Sequence, residues 1–95
     1  MASYKLSENA ELDLIRIHQR GVREFGSKRA DEYYWAFFDR FEQIAEQPMS
    51  YPAVDDIRPG YRRSVCGVDS IYYRVQGDNV LIMAILGQQD VDEWL

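Results

Sequence analysis

The chain of 95 residues has one cysteine, one histidine and three prolines. A single cysteine excludes an intramolecular disulfide framework. One histidine and one cysteine cannot build a structural zinc site, which needs about four such ligands. The acidic groups Asp55-Asp56 and Asp90, Asp92, Glu93 lack the spaced Asp/Asn pattern and central glycine of a calcium loop. There is no G-x-x-x-x-G-K phosphate loop and no G-x-G-x-x-G turn. No apolar run approaches the roughly 20 residues that cross a bilayer. The start, Met1-Ala2-Ser3-Tyr4-Lys5, has none of the apolar core of a signal peptide. A soluble, cytoplasmic protein without metal or cofactor is expected.

What the chain does have is a high load of hydrophobic and aromatic side chains, 46% and 14% of residues, beside 28% charged ones. That balance reads as folded, and the length reads as one domain over 1–95 with one core. The net charge of −5 is unevenly spread. Residues 58–75 hold Arg58, Arg62, Arg63 and Arg74 against Asp69 alone, while residues 76–95 hold acids and no base. A basic patch within an acidic molecule fits an acidic protein partner better than sequence-specific nucleic-acid binding, which needs a broad positive surface.

The pattern predicts two helices followed by three strands. Tyr4-Lys5-Leu6 reads as a short edge strand and Ser7 as a helix N-cap with Glu8 near the positive end of the dipole. Leu14, Ile17, His18, Gly21, Val22 and Phe25 share one helical face. Gly26 ends that helix and Ser27 is placed to cap the next, giving an antiparallel hairpin. Ala30, Tyr34, Phe37, Phe41, Ile44 and Ala45 form the second core stripe. Tyr33, Trp35 and Phe38 lie beside it, an aromatic excess beyond what one core face needs, and Pro48 stops the helix. Tyr61 to Cys66, Ile71 to Val75 and Val80 to Leu86 then alternate or run apolar as strands joined by tight turns. The last of these is expected to be the most buried. The fold class is α+β, a helical hairpin on a three- to four-stranded antiparallel sheet.

Few residues offer chemistry. His18 sits on the apolar side of its helix and is read as packing or bonding locally. Cys66 lies near arginines that could lower its pKa, yet reads as a small strand residue. Arg62 and Arg74 could face each other on paired strands, a costly juxtaposition that an outside acidic group, or Asp55, Asp56 or Asp69 within the chain, could offset.

The order and spacing of several segments resemble the ParE toxins of the RelE/ParE superfamily. These segments are Tyr4-Lys5-Leu6-Ser7 with Ala10 and Asp13-Leu14, and Phe25-Gly26 ahead of Ala30. Ile44-Ala45-Glu46-Gln47-Pro48, Arg58-Pro59-Gly60-Tyr61-Arg62, Ile71-Tyr72-Tyr73-Arg74-Val75 and Ile85-Leu86 with Gln88 complete the set. The resemblance implies the toxin of a bacterial type II toxin–antitoxin system, acting on DNA gyrase by binding and held by a ParD-like antitoxin in a hetero-oligomer. The family often has arginine where this chain has Ala84 and histidine where it has Gly87.

On this reading Tyr33, Trp35, Phe38, Arg62, Tyr72 and Arg74 meet the antitoxin. Arg58, Leu86, Gln88, Asp90, Trp94 and Leu95 meet the target, with no catalytic group. The alternatives are a RelE-like ribosome-dependent mRNA endonuclease, for which Arg62, Arg63 and Arg74 would hold a phosphate and Tyr72 is the remaining proton-transfer candidate, and a ParE-fold protein that only binds its antitoxin.

Overall fold

Ser7 joins the first strand to the first helix and to the sheet. Its hydroxyl accepts from the Ala10 amide at 3.0 Å, the N-cap bond, and donates to the Met83 carbonyl at 2.9 Å. In the computed structural model, which describes residues 3–87, the elements run β1 (Ser3–Leu6), α1 (Glu8–Phe25), α2 (Ser27–Glu46), a 3-10 turn (Pro48–Ser50), β2 (Tyr61–Cys66), β3 (Asp69–Gln76) and β4 (Asn79–Gly87). One residue, Gly26, separates the helices. Its φ of 88° and ψ of 166° lie in a region essentially restricted to glycine. Its amide closes α1 on Val22 and its carbonyl opens α2 on Ala30, each at 3.1 Å. Ser27 is therefore inside α2 and does not cap it, contrary to the sequence expectation.

The four strands are ordered β1-β4-β3-β2. β2, β3 and β4 form the expected antiparallel meander. β1 pairs with β4 in parallel, so the sheet is mixed. The parallel pairing follows from the connection: a whole helical hairpin separates β1 from the meander, and only a long crossover can join parallel neighbours. Opposite Tyr72 and Tyr73 the β3–β4 register shifts by one residue, leaving Met83 as a bulge.

β1 covers β4 only from Asn79 to Ile82. Beyond that point α1 takes over the open edge. Asp13 accepts from the Ile85 amide at 2.9 Å, and Arg16 donates to the Ile85 carbonyl at 3.0 Å. Side chains thus satisfy backbone groups that a strand would otherwise bond.

The helices cover one face of the sheet. Ala10, Leu14 and Ile17 of α1 and Phe37, Phe41 and Ile44 of α2 meet Ile71, Tyr73, Val80, Ile82 and Ile85 in one core. The α2 stripe is buried nearly as its spacing predicts, Tyr34 being only partly covered. The α1 stripe is buried over its first half only, and Val22 and Phe25 are exposed. The exposed Phe25 ring is covered in part by the Arg29 guanidinium, 5.4 Å from its centroid. β4 lies inside the sheet between β1 and β3, but it is not covered on both faces as its apolar run suggests, since its outward Leu81, Met83 and Leu86 are only half-buried.

Candidate functional site

Two surfaces carry the residues singled out from the sequence. The first is the outer face of the hairpin. Ile15, His18 and Gln19 of α1 and Asp31, Tyr34 and Trp35 of α2 line a shallow groove. His18 Nε2 lies 2.7 Å from Asp31 Oδ1, a bond that ties the two helices across it. The imidazole also stands edge-on to Tyr34, centroids 5.6 Å apart.

From there a run of aromatic contacts leads inward: Tyr34 to Trp35 at 5.2 Å, Trp35 to Phe38 at 5.4 Å, and Phe38 to the buried Phe41 at 5.4 Å. Trp35 is 61% exposed, and Leu12 and Ile15 are similarly open. An indole held by its neighbours and left in water presents contact area whose ordering cost is already met, as interface anchors do. Trp35 and Phe38, two of the three α2 aromatics expected to meet the antitoxin, lie on this surface.

Tyr33 does not. Its hydroxyl lies 2.8 Å from the Cys66 carbonyl and 2.9 Å from Asp69 Oδ2, and donates to one of them at a time. Its ring packs over Gly67 so closely that a Cβ there would lie 2.5 Å from it, and Gly67 has a positive φ of 63°. Burial, followed by the Asp69 contact, pushes the Tyr33 phenol well above its usual range.

Arg20 donates to the same Asp69 oxygen at 3.0 Å. Asp69 is buried, and its Oδ1 has no hydrogen-bond partner among the described residues. Sequence reasoning weighed Asp69 only as a countercharge and did not find Arg20 or Arg40. The latter bonds the Ser64 hydroxyl at 2.8 Å and the Val65 carbonyl at 2.6 Å, covering the β2 edge. An acid at the first position of a buried strand was the available signal for Asp69.

The second surface is the sheet, and here the register corrects the expected pairing of arginines. Arg62 pairs with Tyr73, and Arg74 pairs with Tyr61. Partners across a ladder share a face, so Arg62 and Arg74 lie on opposite faces. Arg62 turns toward the helices' side and donates to the Tyr51 carbonyl at 2.6 Å; it is an internal strut. Tyr72 is 1% exposed. A ring so covered cannot meet a partner or reach a substrate proton without rearrangement, which removes it from the contact set in this conformation. Arg74 is exposed and Arg58 half-buried, its guanidinium 5.9 Å from the Tyr61 centroid.

Leu86 is half-buried on β4, and Ala84 is buried opposite Tyr72. Gln88, Asp90, Trp94 and Leu95 lie outside the described residues. Burial raises the Cys66 thiol and outweighs the opposing effect of Arg40. The group is held as a neutral thiol, the unreactive form.

Tyr73 gives a measurable consequence. Its hydroxyl donates to the Pro48 carbonyl at 2.5 Å, and burial pushes its pKa up to about 12. The unfolded phenol titrates near 10. Its contribution to stability is therefore complete below about pH 10 and is lost as pH rises toward 12. Tyr4 and Tyr33 shift in the same direction. Urea midpoints should hold from pH 8 to about 9.5 and fall steeply by pH 11, and Tyr73→Phe should flatten that fall. Midpoints independent of pH across this range would contradict the burial of these phenols.

The layout defines a class: a helical hairpin closing one face of a four-stranded sheet, the fold of the RelE/ParE superfamily. A solved structure described as the chromosomal ParDE TA system from P. aeruginosa superposes on 92% of this chain and 96% of its own with a TM-score of 0.81, at 21% identity. The sequence model of the "ParE toxin of type II toxin-antitoxin system, parDE" matches residues 4–91. Toxin ParE1 of Mycobacterium tuberculosis (strain CDC 1551 / Oshkosh) is 32% identical over 91 residues, covering 94% of this chain and 93% of that protein. Toxin ParE1 of Caulobacter vibrioides (strain ATCC 19089 / CIP 103742 / CB 15) is 34% identical over 88 residues, covering 93% and 91%. The chain belongs to the ParE toxin family of type II toxin–antitoxin systems.

Proposed function

We propose that this toxin inhibits DNA gyrase in the cytoplasm by binding it, without chemistry, and that a ParD-like antitoxin neutralises it by laying an apolar segment along the hairpin groove. The observation that carries the antitoxin contact is Trp35, exposed yet fixed by Tyr34 and Phe38 beside Ile15. The structural neighbour belongs to a ParDE system, which supports a ParD-like partner, and family membership supports the gyrase target. The neutral Cys66 thiol and the His18–Asp31 bond suit a binding protein better than a nuclease. The buried Tyr72 weakens the endonuclease alternative further, since no other proton donor was assigned to that chemistry.

Trp35→Ala is expected to weaken antitoxin binding by about 2 kcal/mol, roughly thirtyfold, if the indole is a hot spot. Far-ultraviolet circular dichroism should remain that of the native protein. Unchanged affinity in a folded variant would move the contact elsewhere. For the target, inhibition of supercoiling should saturate with the toxin-to-gyrase ratio and not accumulate with time. Codon-positioned cleavage of messenger RNA with supercoiling unaffected would replace the gyrase reading by the endonuclease. Silence in both assays with tight antitoxin binding would leave a protein that only binds its antitoxin.

A further inference from the structure

Tyr72 is enclosed on a side of the sheet where its surroundings are open. Ile71 and Tyr73, its neighbours along β3, both lie in the core, so Tyr72 points to the face turned away from the helices. Ala84, its partner on β4, shares that face. Each is 1% exposed. Around them Val65 is 58% exposed, and Arg63, Ser70 and Leu86 are half-buried. Side chains stand roughly perpendicular to a sheet. Such neighbours hem the foot of a phenol ring but do not close over it, so something must lie across the ring. Among the described residues, α1 and α2 pack on the opposite face. The 51–60 loop is bonded along the edge of β2, the Val54 amide donating to the Tyr61 carbonyl at 2.8 Å and the Arg63 amide to the Pro52 carbonyl at 3.1 Å. Its Arg58 reaches the Tyr61 ring on β2, which leaves the cover over β3 to another part of the chain.

The segment next in sequence is 88–95, Gln-Gln-Asp-Val-Asp-Glu-Trp-Leu. It starts beside this patch, because Gly87 pairs with Asp69, three residues along β3 from Tyr72. That distance is about 10 Å at roughly 3.3 Å per residue, and residues 88–90 span as much. Beyond them Val91, Trp94 and Leu95 are spaced i, i+3, i+4, so one helical turn brings all three to the same side. The charges agree. The segment carries Asp90, Asp92 and Glu93 and no base, whereas the outward positions of β2 and β3 carry Arg63 and Arg74 and no acid. That contrast favours its approach to this face.

We propose that residues 88–95 form an intramolecular strap, folded back from β4 so that Val91, Trp94 and Leu95 seat on Tyr72, Ala84 and Leu86. While seated, the strap closes both its own apolar side chains and Tyr72 to any other protein, and lifting it frees both at once. A second copy of the chain fits this patch less well. A two-fold contact would set Arg63 and Arg74 of one copy against the same positive face of the other. The strap lies across the sheet from the hairpin groove and depends on neither the antitoxin nor the gyrase reading.

The test uses the whole chain. In isotope-labelled protein, nuclear Overhauser contacts should join the Trp94 indole and the Val91 and Leu95 methyls to the Tyr72 ring and the Leu86 methyls. Hydroxyl-radical footprinting reads the cover independently. Tyr72 should be protected in the native chain as fully as Tyr73, which faces the core. In the variant Val91→Ser, Trp94→Ser, Leu95→Ser, oxidation of Tyr72 should rise severalfold while Tyr73 stays protected, which reports that the fold survives. Protection of Tyr72 in the native chain should not change on dilution. Absence of contacts between 88–95 and the outer face, an unprotected Tyr72 in the native chain, or full protection retained in the variant would each overturn the proposal. Protection lost on dilution would assign the cover to a second copy and overturn it as well. If Tyr73 is exposed along with Tyr72 in the variant, the contacts in the native chain decide.

Discussion

Phe41→Ala is expected to destabilise the protein by about 3–5 kcal/mol, the range for a truncated buried aromatic. The ring is fully buried and stands where three groups meet. Tyr4 of β1 lies 5.3 Å away, Phe38 5.4 Å and Phe37 6.5 Å. Removing it opens a cavity between α2 and the edge strand, and Phe37, Ile44 and Ile82 of the same core are themselves enclosed and cannot move in without opening another. Domains of this size have total stabilities at the low end of about 5–15 kcal/mol. The variant should therefore be partly unfolded at physiological temperature. Urea denaturation checks this, and a loss below about 1 kcal/mol would place the core elsewhere.

Asp69→Ala carries the second large effect, about 3 kcal/mol or more, by a different route. Asp69 links α1 through Arg20 and α2 through Tyr33 to the β2–β3 turn. Removing one partner of a buried pair typically costs about 3–5 kcal/mol, because the other is left uncompensated. Arg20 keeps some contact with water, which sets the expectation at the lower end. Arg20→Ala alone would leave the carboxylate buried with Tyr33 as its one remaining partner among the described residues. The double variant Arg20→Ala, Asp69→Ala should thus be less destabilised than the sum of the single changes, as a double-mutant cycle would show. Strict additivity would mean that the pair is not coupled. Because the link joins the hairpin to the sheet, Asp69→Ala should also lower the affinity of any partner that spans both.

The helices and the meander were legible because their signals are local. Ser7, Gly26 and Pro48 mark ends by the backbone conformations they allow, and the α2 stripe needs only its own spacing to be read. The strands of the meander follow from alternation and turns. The arginines were read less well. Whether Arg62 and Arg74 face each other depends on register, and pairing Tyr61 with Arg74 sends the two to opposite sides of the sheet. Tyr33 looked like surplus surface from α2 alone. The β2–β3 turn, with its carbonyl at Cys66 and its carboxylate at Asp69, converts the phenol into an internal tie.

By itself the sequence determined the element order, the core face of α2, the uneven placement of charge and the resemblance to the ParE toxins, because each rests on residues close along the chain or on their order. The tertiary structure alone decided that β1 runs parallel to β4, that Asp13 and Arg16 bond the Ile85 backbone where β1 stops, and that Tyr72 and Ala84 lie side by side on the face turned away from the helices. Most of those facts join residues some 70 positions apart. They depend on strand register and on which face each side chain takes, and a local pattern leaves both open until the sheet is assembled.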